Sequence, residues 1–353
     1  MIQTIDFKIL SSYYIFKIFY YFLLYSKRKV RKLGKIFIAG EIPKIGYEKL
    51  KEHELDIYSG DGLISEEELQ KRVKNADAIL SLLSTPVRKK TIDSAKNLKI
   101  IANFGVGFDN IDYEYAIEKG IPVSNTPLVS TEATAELTMG LLLAAARRIP
   151  EGDELCRTEG FSGWAPLFFL GREVSGKTLG ILGFGNIGRS VARKAKGFGL
   201  TIIYYDILRQ ETEVEKELGA KYVALEELLK TSDFITINSA YTKDLKHLID
   251  TEEFNMMKKT AYLINCARGP IVSEKALIEA LENKKIEGAA LDVYEFEPKI
   301  GEALKKIKNV VLTPHIGNAT FETRDQMALC AVQNIVNVLN GMEPYSAINK
   351  YKK

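Results

Sequence analysis

Short runs of β-branched and aromatic residues alternate with amphipathic stretches of helical length from Lys35 to the end of the sequence. This alternation is typical of parallel β-sheets whose strands are joined by crossover helices. The runs form two series, and a long Ala- and Leu-rich helix predicted at 131–148 lies between them. The pattern therefore predicts an α/β protein with two parallel-sheet domains.

The first series predicts five strands and the second predicts seven. The five are KIFIAG, DIYSG, DAILSLL, KIIANFG and IPVSN, and the seven are KTLGILG, LTIIYYD, KYVAL, DFITIN, AYLINC, EGAALDV and NVVLTP. Ser65 and Glu68 predict a capping box at the start of the helix SEEELQKRVKNA. An irregular segment with Gly160, Gly163 and Pro166 follows the long helix. The last predicted helix, at 320–341, is expected to pack back on the first domain.

Composition narrows the class of protein. The chain has 353 residues, of which 46% are hydrophobic and 27% charged, and this suits two soluble domains. The net charge of +3 is nearly neutral, and nothing suggests a nucleic-acid binder. Cys156, Cys266 and Cys330 are too few and too scattered for a disulfide framework or a cysteine metal site. We expect a reduced, cytoplasmic protein without a metal ion.

Residues 1–34 form an N-terminal extension that lacks this pattern. Residues 7–25 are almost wholly apolar and aromatic, and the basic stretch KRKVRK follows at 27–32. The length and basic flank fit a membrane anchor, although Lys17 lies near the middle. A secretory signal is an alternative, but no small-residue cleavage site follows. The third alternative is a disordered tail, or translated sequence upstream of a true start near Lys35.

A glycine-rich turn lies between a predicted strand and a predicted helix. The sequence Gly183-Phe184-Gly185-Asn186-Ile187-Gly188 in this position is the fingerprint of dinucleotide binding, in which the helix N-terminus faces the pyrophosphate. The next strand ends in Asp206, whose carboxylate can accept hydrogen bonds from the adenine ribose and would repel a 2′-phosphate. The second domain is therefore predicted to be Rossmann-like and to bind NAD (NADH), with NADP disfavoured.

The chain contains three histidines. His53 lies in the charged run KEHELD and is expected to be a solvated surface residue, and His247 is expected to support the structure. His315 follows a strand end and Pro314, where parallel sheets open onto a ligand crevice. Imidazole suits proton exchange with a carbonyl oxygen near neutral pH. His315 is therefore the candidate acid and base.

Other charged residues also follow strand ends. Arg268 in NCARGP has the planar group that binds a carboxylate through two parallel N–H donors. Asp292 and Glu297 in ALDVYEFEP follow the next strand, and one of them could orient the imidazole. Each alone would be an ordinary surface charge, but together they are predicted to share one crevice.

The ordered motifs NFGVGFDNID, TEATAELT, KTLGILGFGNIG, NCARGP, ALDVYEFEP and TPHIGNAT resemble those of the D-isomer-specific 2-hydroxyacid dehydrogenases, over about residues 35–345. The resemblance implies a discontinuous substrate domain, residues 35–131 plus 319–353, with an NAD domain at 132–318 inserted between. It also implies a homodimer in which the long helix contributes to the interface.

The resemblance implies roles for individual residues. Arg268 would bind the substrate carboxylate and carbonyl oxygen, His315 would donate the proton in reduction, and Glu297 would hold His315. The backbone of Val106 and Gly107 would contact the carboxylate from the other domain. The residues that would contact the cofactor are Gly183, Gly185, Asn186, Ile187, Gly188, Asp206, Cys266, Ala267, Arg268, Asp292, His315 and Gly317.

Substrate and class alternatives stay open at this level. Trp164 in GWAPLFFLG resembles a segment of glyoxylate and hydroxypyruvate reductases, while 3-phosphoglycerate is the alternative substrate. An NAD(H)-sensing corepressor on the same fold is the alternative from another class, although it would not need the set Arg268, Glu297 and His315. The segment Asn238 to Thr242 departs from the family's His-x-Pro-Leu-Thr pattern, which leaves that cofactor contact unassigned.

Overall fold

The structure, a computed structural model, describes residues 33–348. The apolar segment 7–25 lies outside the described residues. Within residues 33–348, none of the helices has the length and apolar character needed to cross a membrane.

The first sheet has five parallel strands in the order β2-β1-β3-β4-β5. Its strands are β1 (Lys35–Ile38), β2 (Glu54–Ile57), β3 (Ala78–Leu82), β4 (Ile100–Phe104) and β5 (Val123–Ser124). Its crossover helices are α1 (Lys44–Leu50), α2 (Glu66–Arg72), α3 (Lys89–Ser94) and α4 (Tyr113–Glu118). The interiors of β1, β3 and β4 are buried on both faces, as parallel sheets covered by helices require, whereas the edge strand β2 is only half-buried.

The second sheet has seven parallel strands in the order β12-β11-β10-β9-β6-β7-β8. Its strands are β6 (Thr178–Leu182), β7 (Thr201–Tyr205), β8 (Ala220–Tyr222), β9 (Phe234–Ile237), β10 (Tyr262–Asn265), β11 (Gly288–Leu291) and β12 (Val310–Leu312). Its helices are α7 (Asn186–Gly197), α8 (Thr212–Leu218), α9 (Leu225–Thr231), α10 (Thr251–Met256), α11 (Glu274–Glu282) and α12 (Glu302–Lys306). Because β6 lies between β7 and β9, the strand order reverses there and opens a crevice at the carboxyl ends.

Three further helices lie outside these two series: α5 (Thr131–Arg147), α6 (Ile149–Arg157) and α13 (Phe321–Leu339). Buried residues of α5 share a hydrophobic core with β6 and β7 of the seven-stranded sheet. Residues of α13 instead share a core with β1, β3 and β4 of the first sheet. Two parallel-sheet α/β domains, with five and seven strands, are therefore confirmed, while the domain boundaries at 131 and 318 stay predictions.

Several element boundaries differ from the predicted ones. The strand expected at DIYSG is β2, two residues earlier, because its pairing with β1 aligns Lys35 with Glu54. The segment predicted as irregular after the long helix begins with α6, which has Pro150 in its first turn. Arg148, with φ of 55°, separates α6 from α5. The predicted strand KYVAL ends at Tyr222, since Leu225 already begins α9.

The predicted capping box at Ser65 forms only in half. The Ser65 hydroxyl accepts the N–H of Glu68 at 3.2 Å, but the Glu68 carboxylate pairs with Arg72 instead of turning back to the N-cap. The helix also ends early, and its last part, Val73–Asn75, is a 3-10 turn. The ion pair with Arg72 thus takes the place of the second hydrogen bond of the capping box.

His53 is not the solvated surface residue that its charged neighbours predicted. It is half-buried, and its Nδ1 accepts the backbone N–H of Gly34 at 3.2 Å. This hydrogen bond holds the entry to β1 beside the entry to β2. The prediction was wrong because the pairing of these two strand starts is not visible in the local sequence.

Candidate active site

The glycine turn connects β6 to α7 at the point where the strand order reverses. Gly183 has φ of 86°, and a side chain there would collide with Ser239. A Cβ on Gly188 would collide with the carbonyl oxygen of Gly183, so the helix can approach the strand only without a side chain there. A Cβ on Gly185 would meet no other atom within 4 Å. The turn is thus tight on its protein side and open on its outer side.

The start of α7 is available to an anion. Its N-cap, Gly185, supplies no side-chain acceptor, and the first turn, with Asn186 and Ile187, contains no acidic residue. Helix N-termini with free N–H groups bind phosphate groups. The Asp206 carboxylate, at the end of β7, accepts the N–H of Phe184 at 2.7 Å and holds the turn. The residues present therefore fit the pyrophosphate and ribose of a dinucleotide.

Asn238 is a further polar residue near the glycine turn. It follows β9, and neither polar atom of its buried side-chain amide has a hydrogen-bond partner among residues 33–348. Its neighbour Ser239 packs against Gly183. An unpaired buried amide costs free energy unless a ligand satisfies it, so Asn238 also fits a cofactor with hydroxyl groups.

Arg268 leaves the end of β10 and reaches across to the first domain. Its Nε donates to the Asp109 carboxylate at 3.1 Å, and its Nη1 donates to the carbonyl oxygen of Ala267 at 2.8 Å. Its Nη2 lies against Gly107, where any side chain would collide with it. The amide of Asn265 holds the loop, because it donates to the Arg268 carbonyl oxygen and accepts the N–H of Ala267, each at 3.0 Å.

His315 and Glu297 form a pair. The Nδ1 of His315 lies 3.0 Å from Oε2 of Glu297, and the other carboxylate oxygen accepts the N–H of Tyr294 at 2.9 Å. Burial raises the pKa of Glu297, but His315, the N–H of Tyr294 and the charge of Arg268 together outweigh burial, so the pKa lies below its ordinary value. Glu297 therefore stays ionised at neutral pH and orients the imidazole, whose Nε2 remains for a ligand.

Asp292 holds the turn that carries His315. Its buried carboxylate accepts hydrogen bonds from the Thr313 hydroxyl at 2.7 Å and from the N–H groups of Ile316 and Gly317 at 2.8 Å each. Burial raises the pKa of Asp292, and these three donors oppose that rise. His315 lies between the anchored residues with φ of 54°. The carboxylate thus fixes the backbone on both sides of the imidazole.

The loops after β10 and β11 are packed together. A Cβ on Gly269 would collide with the backbone of Tyr294, so the loop of Arg268 contacts the loop of Glu297. Cys266 is buried in the first of these loops, and burial raises the pKa of its thiol to about 12, which keeps it neutral. Gly107 faces this pair of loops from the first domain, through its contact with Arg268.

His247 belongs to a separate pair. Its Nε2 lies 2.6 Å from Oε1 of Glu295, while Oε2 of Glu295 accepts the N–H of Glu274 at 3.0 Å. The backbone N–H of His247 donates to the carbonyl oxygen of Pro270 at 2.9 Å. His247 therefore connects the loop after β10 to the loop after β11.

Comparisons with known proteins agree with this arrangement. Residues 139–317 match the family described as D-isomer specific 2-hydroxyacid dehydrogenase, NAD binding domain. A Staphylococcus epidermidis protein named as a 2-hydroxyacid dehydrogenase is 62% identical over 318 residues, which are 90% of this chain and all of that one. The chain belongs to the D-isomer-specific 2-hydroxyacid dehydrogenase family.

Two solved structures show the same fold. A protein of Thermus thermophilus superposes with a TM-score of 0.84 at 38% identity, over 89% of this chain and 99% of that one. A glyoxylate reductase from Paecilomyes thermophila superposes with a TM-score of 0.81 at 33% identity, over 91% of this chain and 99% of that one.

Asp109 and Asn265 were not predicted from the sequence as parts of this site, and Asn238 was noted only as part of a segment whose cofactor contact was unassigned. Asp109 lies two residues after Gly107 in NFGVGFDNID, but nothing local indicates its pairing with an arginine of the other domain. Asn238 and Asn265 carried a usable signal, since each is a polar residue directly at the end of an apolar strand.

We predict that Gly188→Ala weakens NADH binding about tenfold or more, because the added methyl group meets the Gly183 carbonyl and pushes α7 away from the turn. Gly197→Ala is the matched control, since Gly197 lies on the same helix and a Cβ there meets nothing within 4 Å. Titration of nucleotide fluorescence measures both dissociation constants. Equal affinity in the two variants would refute the role of this turn.

Proposed function

We propose that this chain interconverts a small 2-keto acid and its D-2-hydroxy acid with NAD as the redox cofactor. A bound NADH supplies a hydride to the 2-keto carbon. The chain's own residues would bind the acid, donate the proton and exclude water. The pair formed by His315 and Glu297, at the same edge of the sheet as the dinucleotide turn, carries this proposal, since a pure binding site for a nucleotide needs no acid and base.

In the reducing direction His315 gives the proton from its Nε2 to the carbonyl oxygen. Glu297 stabilises the imidazolium before transfer and keeps Nδ1 occupied, so that only Nε2 exchanges a proton with the substrate. Asp292 keeps the backbone of His315 in place. In the oxidising direction His315 takes the proton back.

Arg268 is the group that binds the substrate. Its Nε and Nη1 have partners in the protein, whereas Nη2 makes no hydrogen bond among the described residues and lies against Gly107. A carboxylate at this place would meet the guanidinium on one side and the backbone of Val106 and Gly107 on the other. Both domains would therefore close on the same acid group.

The substrate class that we propose is glyoxylate and hydroxypyruvate. The similarity to a glyoxylate reductase supports it, together with a site that combines one carboxylate-binding arginine and one histidine. Measurement of NADH oxidation with glyoxylate, hydroxypyruvate, pyruvate, 2-ketoisocaproate and 3-phosphohydroxypyruvate distinguishes these acids. Activity on none of them would favour a nucleotide sensor instead.

We predict that His315→Gln lowers kcat by at least about 100-fold on the best of these acids, because it removes the proton donor. NADH affinity should change little. His53→Gln is the control, since it removes an imidazole that lies at the start of the first sheet. The assignment is wrong if the His315 variant retains full turnover.

We also propose that NAD is preferred over NADP. Asp206 would repel a 2′-phosphate, and the nearby cation Arg209 is already held by Glu215 through two hydrogen bonds of 2.9 Å. We predict that Asp206→Asn improves kcat/KM for NADPH relative to NADH by about tenfold, because it removes the negative charge. Glu213→Gln removes an exposed charge on α8 as a control. An unchanged ratio for Asp206→Asn would contradict the proposed role.

A homodimer is the proposed assembly. Apolar side chains are exposed along α6 and the loop after it, including Trp164 at 87% and Leu167 at 84% exposure. A patch of this kind on one chain marks an interaction surface. We predict that sedimentation shows a dimer, and that Leu167→Asp weakens it while Leu63→Asp, at an exposed site of the first domain, does not. A wild-type monomer would refute this assembly.

A further inference from the structure

Three consecutive backbone carbonyl groups accept hydrogen bonds in the loop after β4, and we call these three hydrogen bonds the ties. The carbonyl oxygen of Gly105 accepts the N–H of Thr126 at 2.9 Å. The next one, on Val106, accepts the side-chain amide of Asn125 at 2.7 Å, and the one on Gly107 accepts the side-chain amide of Asn103 at 2.6 Å. The orientation of this stretch of backbone is therefore held by other parts of the domain.

A buried network of polar side chains holds Asn103, which makes one of these ties. The Oδ1 of Asn103 accepts hydrogen bonds from the Ser81 hydroxyl at 2.9 Å and from the Asn110 amide at 3.2 Å. The same Asn110 amide also donates to the carbonyl oxygens of Leu82 and Thr85. Asn103 is fully buried, and Asn110 and Asn125 are nearly so. Side chains held in this way cannot rotate without leaving buried polar groups unpaired.

Because the peptide group is planar, the direction of these carbonyl groups also fixes the direction of the N–H groups that follow them. In a trans peptide the N–H points opposite to the carbonyl of the preceding residue. The three ties thus direct the N–H groups of Val106, Gly107 and Phe108 away from the buried network. None of these three N–H groups has an acceptor among residues 33–348. The Nη2 of Arg268 lies against Gly107.

We propose that Asn103 and Asn125 are positioning residues that shape this loop into a carboxylate site. They turn the N–H groups of Gly107 and Phe108 toward the substrate, and Thr126 does the same for the N–H of Val106. Successive N–H groups that point outward form an anion-binding concavity, and a guanidinium beside them adds the opposite charge. This inference rests on the proposed function, and it adds Phe108 as a third backbone donor.

The residue type matters for this role. Asparagine offers an N–H donor to a carbonyl, and an aspartate in its place would offer only acceptors. The Oδ1 of Asn125 has no hydrogen-bond partner in the described part of the chain, so the amide of Asn125 serves Val106 alone. Asn125→Ala therefore removes one side-chain hydrogen bond, and this hydrogen bond is the tie to Val106.

The test measures binding of oxamate, an unreactive amide that carries the carboxylate of a 2-keto acid, to the protein–NADH complex. Calorimetry is applied to the wild type, Asn125→Ala, Asn103→Ala and, as a control in the core of the same domain, Ile36→Val. We expect about a tenfold loss of oxamate affinity for the first two variants, with NADH affinity within about twofold of the wild type. Ile36→Val removes one buried methyl group from β1, keeps the ties and the polar network, and should lose less than about threefold.

The outcomes separate the inference from the proposed function. Wild-type oxamate affinity in Asn125→Ala overturns the positioning role, even if Asn103→Ala fails to fold. An equal loss in Ile36→Val also overturns it, because the effect would then come from general weakening of the domain. A wild-type protein that binds no oxamate and reduces no 2-keto acid refutes the proposed function, and this inference with it.

Discussion

Both sheets are entirely parallel, and the position of the site depends on this constraint. Parallel strands need crossover connections, which place helices on the two faces and leave the loops after each strand at one edge. The glycine turn, Arg268, Glu297 and His315 all follow strands of the seven-stranded sheet at that edge. The Val106 loop follows β4 of the other sheet in the same way. The cleft thus lies where the carboxyl ends of two sheets face each other.

The backbone N–H and C=O groups of loops at such an edge have no neighbouring strand to pair with. Here buried side chains make hydrogen bonds to these loops instead. Asn103 and Asn125 hold the Val106 loop, Asn265 holds the loop of Arg268, and Asp292 holds the turn of His315. A buried amide or carboxylate is stable only when it is paired, so each of these contacts specifies one loop geometry. The groups that we propose to face the substrate are therefore held in one geometry by the protein itself.

Local sequence patterns predicted the elements better than their limits. The number of strands, five and seven, followed from apolar runs between breakers, because buried parallel strands are nearly continuous in apolar residues. The position of β2 did not follow, since it depends on pairing with β1. The end of the long helix was predicted to within one residue, but the helix α6 that follows it was not predicted. His53 was misassigned for the same reason as β2, because its partner Gly34 lies across the start of two strands.

The sequence by itself determined the parallel α/β class, the dinucleotide turn and the placement of Arg268, Glu297 and His315 at strand ends, because these features are written in local periodicity and spacing. Only the tertiary structure decided which groups meet. It paired His315 with Glu297, joined Arg268 to Asp109 of the other domain, and set Asn125 against the Val106 carbonyl. Contacts between residues far apart in the chain depend on strand order and on the packing of two domains, and no local pattern records these.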